Sequence, residues 1–140
     1  MASWLRRAFG GGGGLDVRLA QSLGAFSGPN GGISPLYALF EVTNTGTEDV
    51  EVARIYVAAV GGSGPAHEES LEGKGVLPLT LAPGASARFH TRAKALAKDL
   101  EDAGYGGSPR VYLVVEDPLG NRREKAFRFR VDEYLRLKDE

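Results

Sequence analysis

The sequence predicts an all-β protein, an antiparallel β-sandwich of about seven strands with one short helix at about residues 92–103. Short segments alternate apolar and polar residues with the period of two that half-buried strands require. Clusters of Gly, Pro and Asn separate these segments and predict turns. The 140 residues are the usual size of one domain. A half-open barrel of the same strands is the alternative.

The N-terminal stretch is set apart from this pattern. Residues 1–9 have a helical amphipathic period that places Trp4, Leu5 and Phe9 on one face. Residues 10–14 are all glycine, which predicts a flexible linker. The expected organisation is an amphipathic tag (1–9), a glycine linker (10–14), the β-sandwich domain (15–131) and a charged tail (132–140) that frays.

The first half of the domain predicts three strands. Residues 15–20 and 36–43 alternate apolar and polar side chains, and Asn44 begins an Asn-Thr-Gly turn signal. Residues 50–60 are β-branched and apolar, but the inward parity changes along them. A β-bulge near Ala53 would reconcile the two parities.

The second half predicts four strands. Residues 77–81 contain a proline and therefore predict an edge strand. The sequence Ala-Pro-Gly-Ala at 82–85 fits a type II turn, and the strand after it directs Phe89 inward. Residues 110–116 are apolar on both faces, which predicts a central strand. A type I turn at 117–120 then leads into a last strand at 124–131, with Phe127, Phe129 and Val131 inward.

One helix is predicted between these strands, with Thr91 as a candidate N-cap and Gly104 as the residue that ends it. Its apolar stripe has the spacing of one helical face and consists of Ala93, Leu96, Ala97, Leu100 and Ala103.

The composition sets aside several chemistries. The net charge is −1 and cysteine is absent, so no global field attracts nucleic acid and thiolate chemistry is excluded. His67 and His90 are the two histidines, and no serine lies in a nucleophile elbow. His67 precedes Glu68 and Glu69 in a predicted polar loop, residues 61–75, where we expect a solvated segment rather than a metal site. We expect no catalytic residues, no metal and no cofactor.

Basic side chains are predicted on the outer faces of two strands. Arg88, His90 and Arg92 share one outward face, and Arg128 and Arg130 share another. If both strands lie in one sheet, these residues form a cationic surface for an acidic or phosphate-rich partner. The alternative is that they only keep the sandwich soluble and protect its edges.

Two hairpin-like stretches resemble bacterial immunoglobulin-like domains of the CARDB type. The stretch FEVTNTGTEDVEV at 40–52 runs from a strand through Asn-Thr-Gly into a second strand, and LPLTLAPGASARF at 77–89 resembles a later hairpin. The resemblance covers residues 15–131 in strand order, and the helix at 92–103 departs from it. It implies an immunoglobulin-like β-sandwich that binds, spaces or displays, with no shared catalytic residues.

We therefore expect a non-catalytic interaction or scaffold module of the bacterial cytoplasm that binds a protein partner. Nucleic acid is not the expected partner, and the oligomeric state is left open. One alternative is a peripheral membrane-associated adaptor, whose tag makes weak contact with anionic lipid. The other is a ligand-binding domain or minor enzyme. The candidate binding residues are Trp4, Leu5, Phe9, Arg88, His90, Arg92, Arg128 and Arg130.

Overall fold

A computed structural model describes residues 15–25, 35–61, 64–68 and 71–137. These residues form antiparallel strands, two α-helices and one 3-10 turn at Lys74–Val76. The strands are β1 (Val17–Gly24), β2 (Tyr37–Asn44), β3 (Val50–Val52), β4 (Arg54–Ala59), β5 (Pro65–His67), β6 (Leu79–Leu81), β7 (Ser86–Arg92), β8 (Arg110–Glu116) and β9 (Arg122–Arg128), and the helices are α1 (Ala93–Asp102) and α2 (Val131–Leu135).

The strands form a sandwich-like arrangement of antiparallel sheets. One sheet has three strands in the order β1-β2-β7, and the other has four in the order β5-β4-β8-β9. Strands β3 and β6 form a separate antiparallel pair. The predicted all-β sandwich fold with a short helix is confirmed, and β8 is central as expected. No helix in the described ranges is long and apolar enough to cross a bilayer.

The core lies between the two sheets. Phe40 and Phe89 come from the three-stranded sheet and Leu113 from the four-stranded sheet, and each is at most 2% exposed. Helix α1 adds Leu96 and Leu100, which are fully buried in the same cluster. Each such side chain stabilises the fold by roughly 1.5–3 kcal/mol relative to exposure. The apolar stripe predicted for the helix therefore faces this core, except for Ala103, which is the exposed C-cap residue.

The predicted strand at 50–60 is two strands in different sheets. Strand β3 pairs with β6 and ends at Val52, whereas β4 begins at Arg54 and pairs with β8. The Ala53 N–H already donates to the Glu116 carbonyl at 2.8 Å. The parity change that predicted a bulge near Ala53 thus reflects a change of partner. The bulge expected there is wrong, and the register shift lies between Val57 and Ala58.

Helix α1 is one residue shorter at its start than predicted. Thr91 is not its N-cap: Arg92 occupies that position without a side-chain capping bond. The predicted end is confirmed, because Gly104 has φ +99° and its N–H donates to the Glu101 carbonyl at 2.9 Å. The next N–H, of Tyr105, donates to Leu100 at 2.9 Å, and the two bonds complete a Schellman motif.

Both proline-containing turns form as predicted. Ala85 N–H donates to the Ala82 carbonyl at 2.9 Å, and Gly84 has φ +82°, as the third position of a type II turn requires. Gly120 N–H donates to the Asp117 carbonyl at 3.0 Å between β8 and β9.

Asn44 is more than a turn residue, because its side chain is buried where β2 ends. Its amide nitrogen donates to the Glu48 and Leu81 carbonyls at 2.8 Å each, and its Oδ1 accepts from Gly46 N–H at 2.9 Å. This amide joins the β2–β3 turn to β6.

The charged tail does not fray at its start. Val131–Leu135 form α2, and Val131 and Tyr134 are buried. The ring centroid of Tyr134 lies 4.8 Å from that of Phe129. Apolar side chains therefore anchor the start of the tail, although its many charged residues predicted a solvated segment.

Candidate functional site

The two sides of the sandwich, where the edge strands of the sheets meet, are built differently. On one side the edges are β5 and β7, and α1 packs against both. On the other side β1 and β9 lie next to each other but belong to different sheets. We call the first the helix-covered side (β5, β7, α1) and the second the open side (β1, β9). Neither described helix packs along the open side.

A buried polar cluster joins the three elements of the helix-covered side. His67, from β5, has a side chain with no exposed surface. Its Nδ1 lies 2.6 Å from Oδ2 of Asp99 on α1, and its Nε2 lies 2.8 Å from Oγ1 of Thr91 on β7. With an ionised Asp99 and a neutral ring, Nδ1–H donates to the carboxylate and Nε2 accepts from the Thr91 hydroxyl. The expected solvated loop at His67 is therefore wrong.

A carboxylate, an imidazole and a hydroxyl in this order can activate a nucleophile. Thr91 is only 1% exposed, so no substrate reaches its hydroxyl in this conformation. Both ring nitrogens of His67 are also engaged by protein groups. In the described part of the chain, no three His, Cys, Asp or Glu side chains are grouped to hold a metal. The hydrogen bonds of this cluster connect α1 to both sheets.

The predicted basic residues lie in two different sheets. Arg88, His90 and Arg92 alternate with buried Phe89 and Thr91 on β7, in the three-stranded sheet. Arg128 lies on β9 in the four-stranded sheet, and Arg130 follows it. The condition for one joint cationic surface is therefore not met.

Several of these cations already have partners within the fold. Arg88 Nε lies 3.2 Å from Oε2 of Glu41 on the neighbouring strand. Arg128 donates to the Ser108 carbonyl at 3.1 Å, and Arg130 lies 3.4 Å from Glu133. The ring of His90 meets that of Tyr37 edge-on, with centroids 5.3 Å apart. These pairs favour a supporting role for the predicted basic residues over a binding role.

The outer face of the three-stranded sheet carries a shallow groove of about 380 Å³. Ala20 and Ser22 of β1 line one border, Leu39 lies in the middle strand, and Arg88 and His90 line the other border. Glu41 lies beside Leu39 in the middle strand and pairs with Arg88, so the groove combines apolar and polar side chains, as recognition grooves usually do.

Strand β1 borders this groove and is an unusual edge strand. It has eight residues, VRLAQSLG, of which Arg18 is the only charged one. It pairs with β2 along one side through its whole length, and in the described part of the chain no strand pairs with its other side. Leu23, near its end, is 42% exposed although its register partner Ala38 is buried. This edge is long, carries one charged residue and is partly apolar.

The other edges are protected by recognised devices. Five of the seven residues of β9, RREKAFR, are charged. Strand β5 is three residues long. The free side of β7 is covered at His90, which exchanges backbone hydrogen bonds of 2.7 and 3.1 Å with Glu72. The contrast leaves β1 as the one long, unprotected edge in the described ranges.

A cleft of about 250 Å³ separates β1 from β9 on the open side. Val17, Arg18 and Leu19 of β1 line one wall, and Arg123, Glu124 and Lys125 of β9 line the other. Both cations are exposed.

A second polar network covers the outer face of the four-stranded sheet. The Tyr56 hydroxyl donates to Oε2 of Glu116 at 2.6 Å, and the Arg54 guanidinium lies 4.6 Å from the centre of the Tyr56 ring. Burial and this hydrogen bond raise the pKa of Tyr56 to about 12. Arg54 also donates twice to Glu68, at 2.7 and 2.9 Å, and this contact raises the pKa of Arg54. The network joins β4 to β8 and to the residue after β5.

Comparison with known proteins adds little to this description. No protein-family model and no curated protein matches the chain. The X-ray structure of Northeast Structural Genomics Consortium target SoR45 is similar over 89% of this chain and 94% of that chain, with 12% identity and a TM-score of 0.42. A likeness at that level carries no argument about function.

Sequence reasoning identified part of the site. Trp4, Leu5 and Phe9 of the tag lie outside the described residues. The outward direction of Arg88, His90 and Arg92 was predictable from alternation. The His67 cluster was missed because its members are 24 and 32 residues apart and no periodic pattern links them. The free edge of β1 was missed because strand order is not encoded in alternation.

Proposed function

We propose that this protein is a non-catalytic interaction module that binds an extended segment of a partner protein along the edge of β1. The observation that carries the proposal is the unprotected edge: eight residues with one charge and no strand on the outer side in the described ranges. Backbone N–H and C=O groups on such an edge are a template for one more strand.

The surroundings of β1 supply contacts for the side chains of an added strand. In strand addition, main-chain hydrogen bonds give affinity, and pockets for alternate side chains give specificity. On the outer face, the groove bordered by Ala20 and Ser22 lies next to the edge. On the opposite face, Leu23 offers exposed apolar surface. An added segment would therefore find apolar contacts on both of its faces.

The contrast with the protected edges supports the same proposal. Charge, shortness and backbone covering protect β9, β5 and β7, and these devices prevent unwanted pairing. A fold that protects its other edges and, within the described ranges, leaves the outer side of β1 without a strand favours a binding role for this edge. The proposal agrees with the binding role that the CARDB-type resemblance implies. We also propose that the sandwich is immunoglobulin-like and that the protein is cytoplasmic.

Selection from a random twelve-residue peptide display library tests the proposal. The bait is the full chain, compared with Leu23→Lys and with Leu119→Lys. Lysine at position 23 places a charge on the inward-directed face of the edge, which is a natural block to strand addition. Leu119 lies in the β8–β9 turn and is 87% exposed, so the same substitution there is a matched control.

We expect the full chain and Leu119→Lys to enrich the same β-prone peptides and Leu23→Lys to lose them. Circular dichroism and urea midpoints establish that both variants are folded. Equal enrichment by Leu23→Lys, or no enrichment by the full chain, contradicts the proposal. Light scattering without peptide supplies one further outcome. A dimer that Leu23→Lys converts to a monomer would assign the edge to a second copy of this chain and contradict a peptide partner.

A further inference from the structure

We infer that the bound segment is acidic at the end beside the start of β1, and that Arg123 and Lys125 recognise its carboxylates. This inference rests on the proposed function, because it names the chemistry of the segment that occupies the β1 edge.

The side chains of Arg123 and Lys125 lie on the inner face of β9, which is the face directed toward the interior of the sandwich. Along β9, Arg123 and Lys125 share the parity of Phe127, which packs against the core. Their register partners on β8 are Val115 and Leu113, and both are fully buried. Side chains directly opposite in an antiparallel pair lie on the same face of the sheet. Both cations therefore extend from the inner face toward the open side.

The inner face places the two cations across the cleft from β1. Val17 and Leu19, both buried, line the β1 wall of this cleft of about 250 Å³. A segment paired with β1 would direct every second side chain to this face. The side chains near Val17 and Leu19 would then lie on the same side as the cations.

Arg123 and Lys125 have no ion-pair partner in the described part of the chain, in contrast to their neighbours. Arg122 pairs with Glu124 at 3.0 Å, and Arg54 pairs with Glu68 at 2.7 Å. Two exposed cations that lie two residues apart and have no partner in the described ranges favour carboxylates at that place.

A protein segment explains this site better than a nucleic acid does. The cationic pair lies next to an uncharged backbone edge that can hydrogen-bond to a strand, and a phosphate backbone makes no use of such an edge. The net charge of the whole chain is −1, so no global field attracts an acidic partner and the attraction is local. The two cations can thus orient an added strand by binding the carboxylates at its acidic end.

The test uses an edge-binding peptide from the selection, synthesised in two versions with three Glu or three Gln at the end beside Val17. Binding is measured to the full chain, to Arg123→Glu/Lys125→Glu, and to Lys98→Glu/Arg110→Glu. The control removes the same charge at exposed positions off the cleft. Because two exposed ion pairs would form, we expect about a tenfold preference for the Glu peptide.

This preference should persist in the control, disappear in Arg123→Glu/Lys125→Glu and fall at high salt. If the Glu and Gln peptides bind the full chain equally, the inference is overturned while strand addition stands. If neither peptide binds, the proposed function itself fails. An oligo-dT that binds the full chain and not Arg123→Glu/Lys125→Glu would assign the cations to nucleic acid and overturn the inference.

Discussion

Nδ1 of His67 lies 2.6 Å from a carboxylate oxygen of Asp99, which is 32 residues further along the chain. This bond connects β5, at the edge of the four-stranded sheet, to α1. The other ring nitrogen is bonded to Thr91 on β7, at the edge of the three-stranded sheet. One buried side chain therefore links both sheets to the helix. The helix-covered side is therefore held together by a buried hydrogen-bond network, and neither described helix packs along the open side.

Removing the Thr91 hydroxyl should destabilise the fold. Thr91→Val keeps the shape but leaves Nε2 of His67 buried without a partner, so we expect the free energy of unfolding to fall by about 1–3 kcal/mol. Thr43→Val is the matched control, because the Thr43 hydroxyl bonds that of Ser86 at 2.8 Å at an exposed position. Urea unfolding measures both variants. Equal losses would show that the His67 cluster adds no stability beyond a surface hydrogen bond.

Asn44→Asp should cost more stability than Asn44→Ala. The Asn44 amide nitrogen faces the carbonyl oxygens of Glu48 and Leu81. A carboxylate there would direct an acceptor at two acceptors in a buried place, whereas alanine only removes the bonds. We expect losses of more than about 3 kcal/mol for Asp and roughly 1–3 kcal/mol for Ala. Thermal or urea unfolding compares them, and the reverse order would contradict the assigned direction of the amide.

Tyr56 should make the protein lose stability at alkaline pH. Its pKa is raised to about 12, chiefly by burial and then by its hydrogen bond to Glu116. The unfolded chain ionises Tyr near pH 10. Tyr56 therefore contributes stability that is complete below about pH 10 and is lost as the pH rises toward 12. Urea unfolding from pH 9 to 12 should show this loss in the full chain and not in Tyr56→Phe. Parallel curves would contradict it.

Local patterns in the sequence specify much of the fold. Alternation located β1, β2 and β7 but not β5, which lies in a segment predicted to be a loop. The Pro-Gly and Asp-Pro turns formed as predicted, because these signals depend on neighbouring residues. Gly104 ended the helix for the same reason. Thr91 failed as an N-cap because a distant partner, His67, holds its hydroxyl. Val131 and Tyr134 were missed because their burial depends on packing that a charged sequence does not reveal.

The residues and edges of the candidate site depend on the order of the strands in the sheets, which local sequence patterns do not specify. Arg88 and Arg128 lie in different sheets, so the condition for one joint cationic surface is not met. Arg123 and Lys125 were visible as basic residues near a turn. Their place beside β1 follows only from how the two sheets pack. The bare edge of β1 likewise depends on which strand closes the sheet.

The most direct test of strand addition is amide hydrogen exchange of the full chain with and without a selected acidic peptide. An added strand forms new backbone hydrogen bonds, so amides within Val17–Gly24 should exchange at least tenfold more slowly in the complex. Amides of β9, Arg122–Arg128, should change little. Unchanged exchange across β1, with protection elsewhere in the chain, would contradict the account.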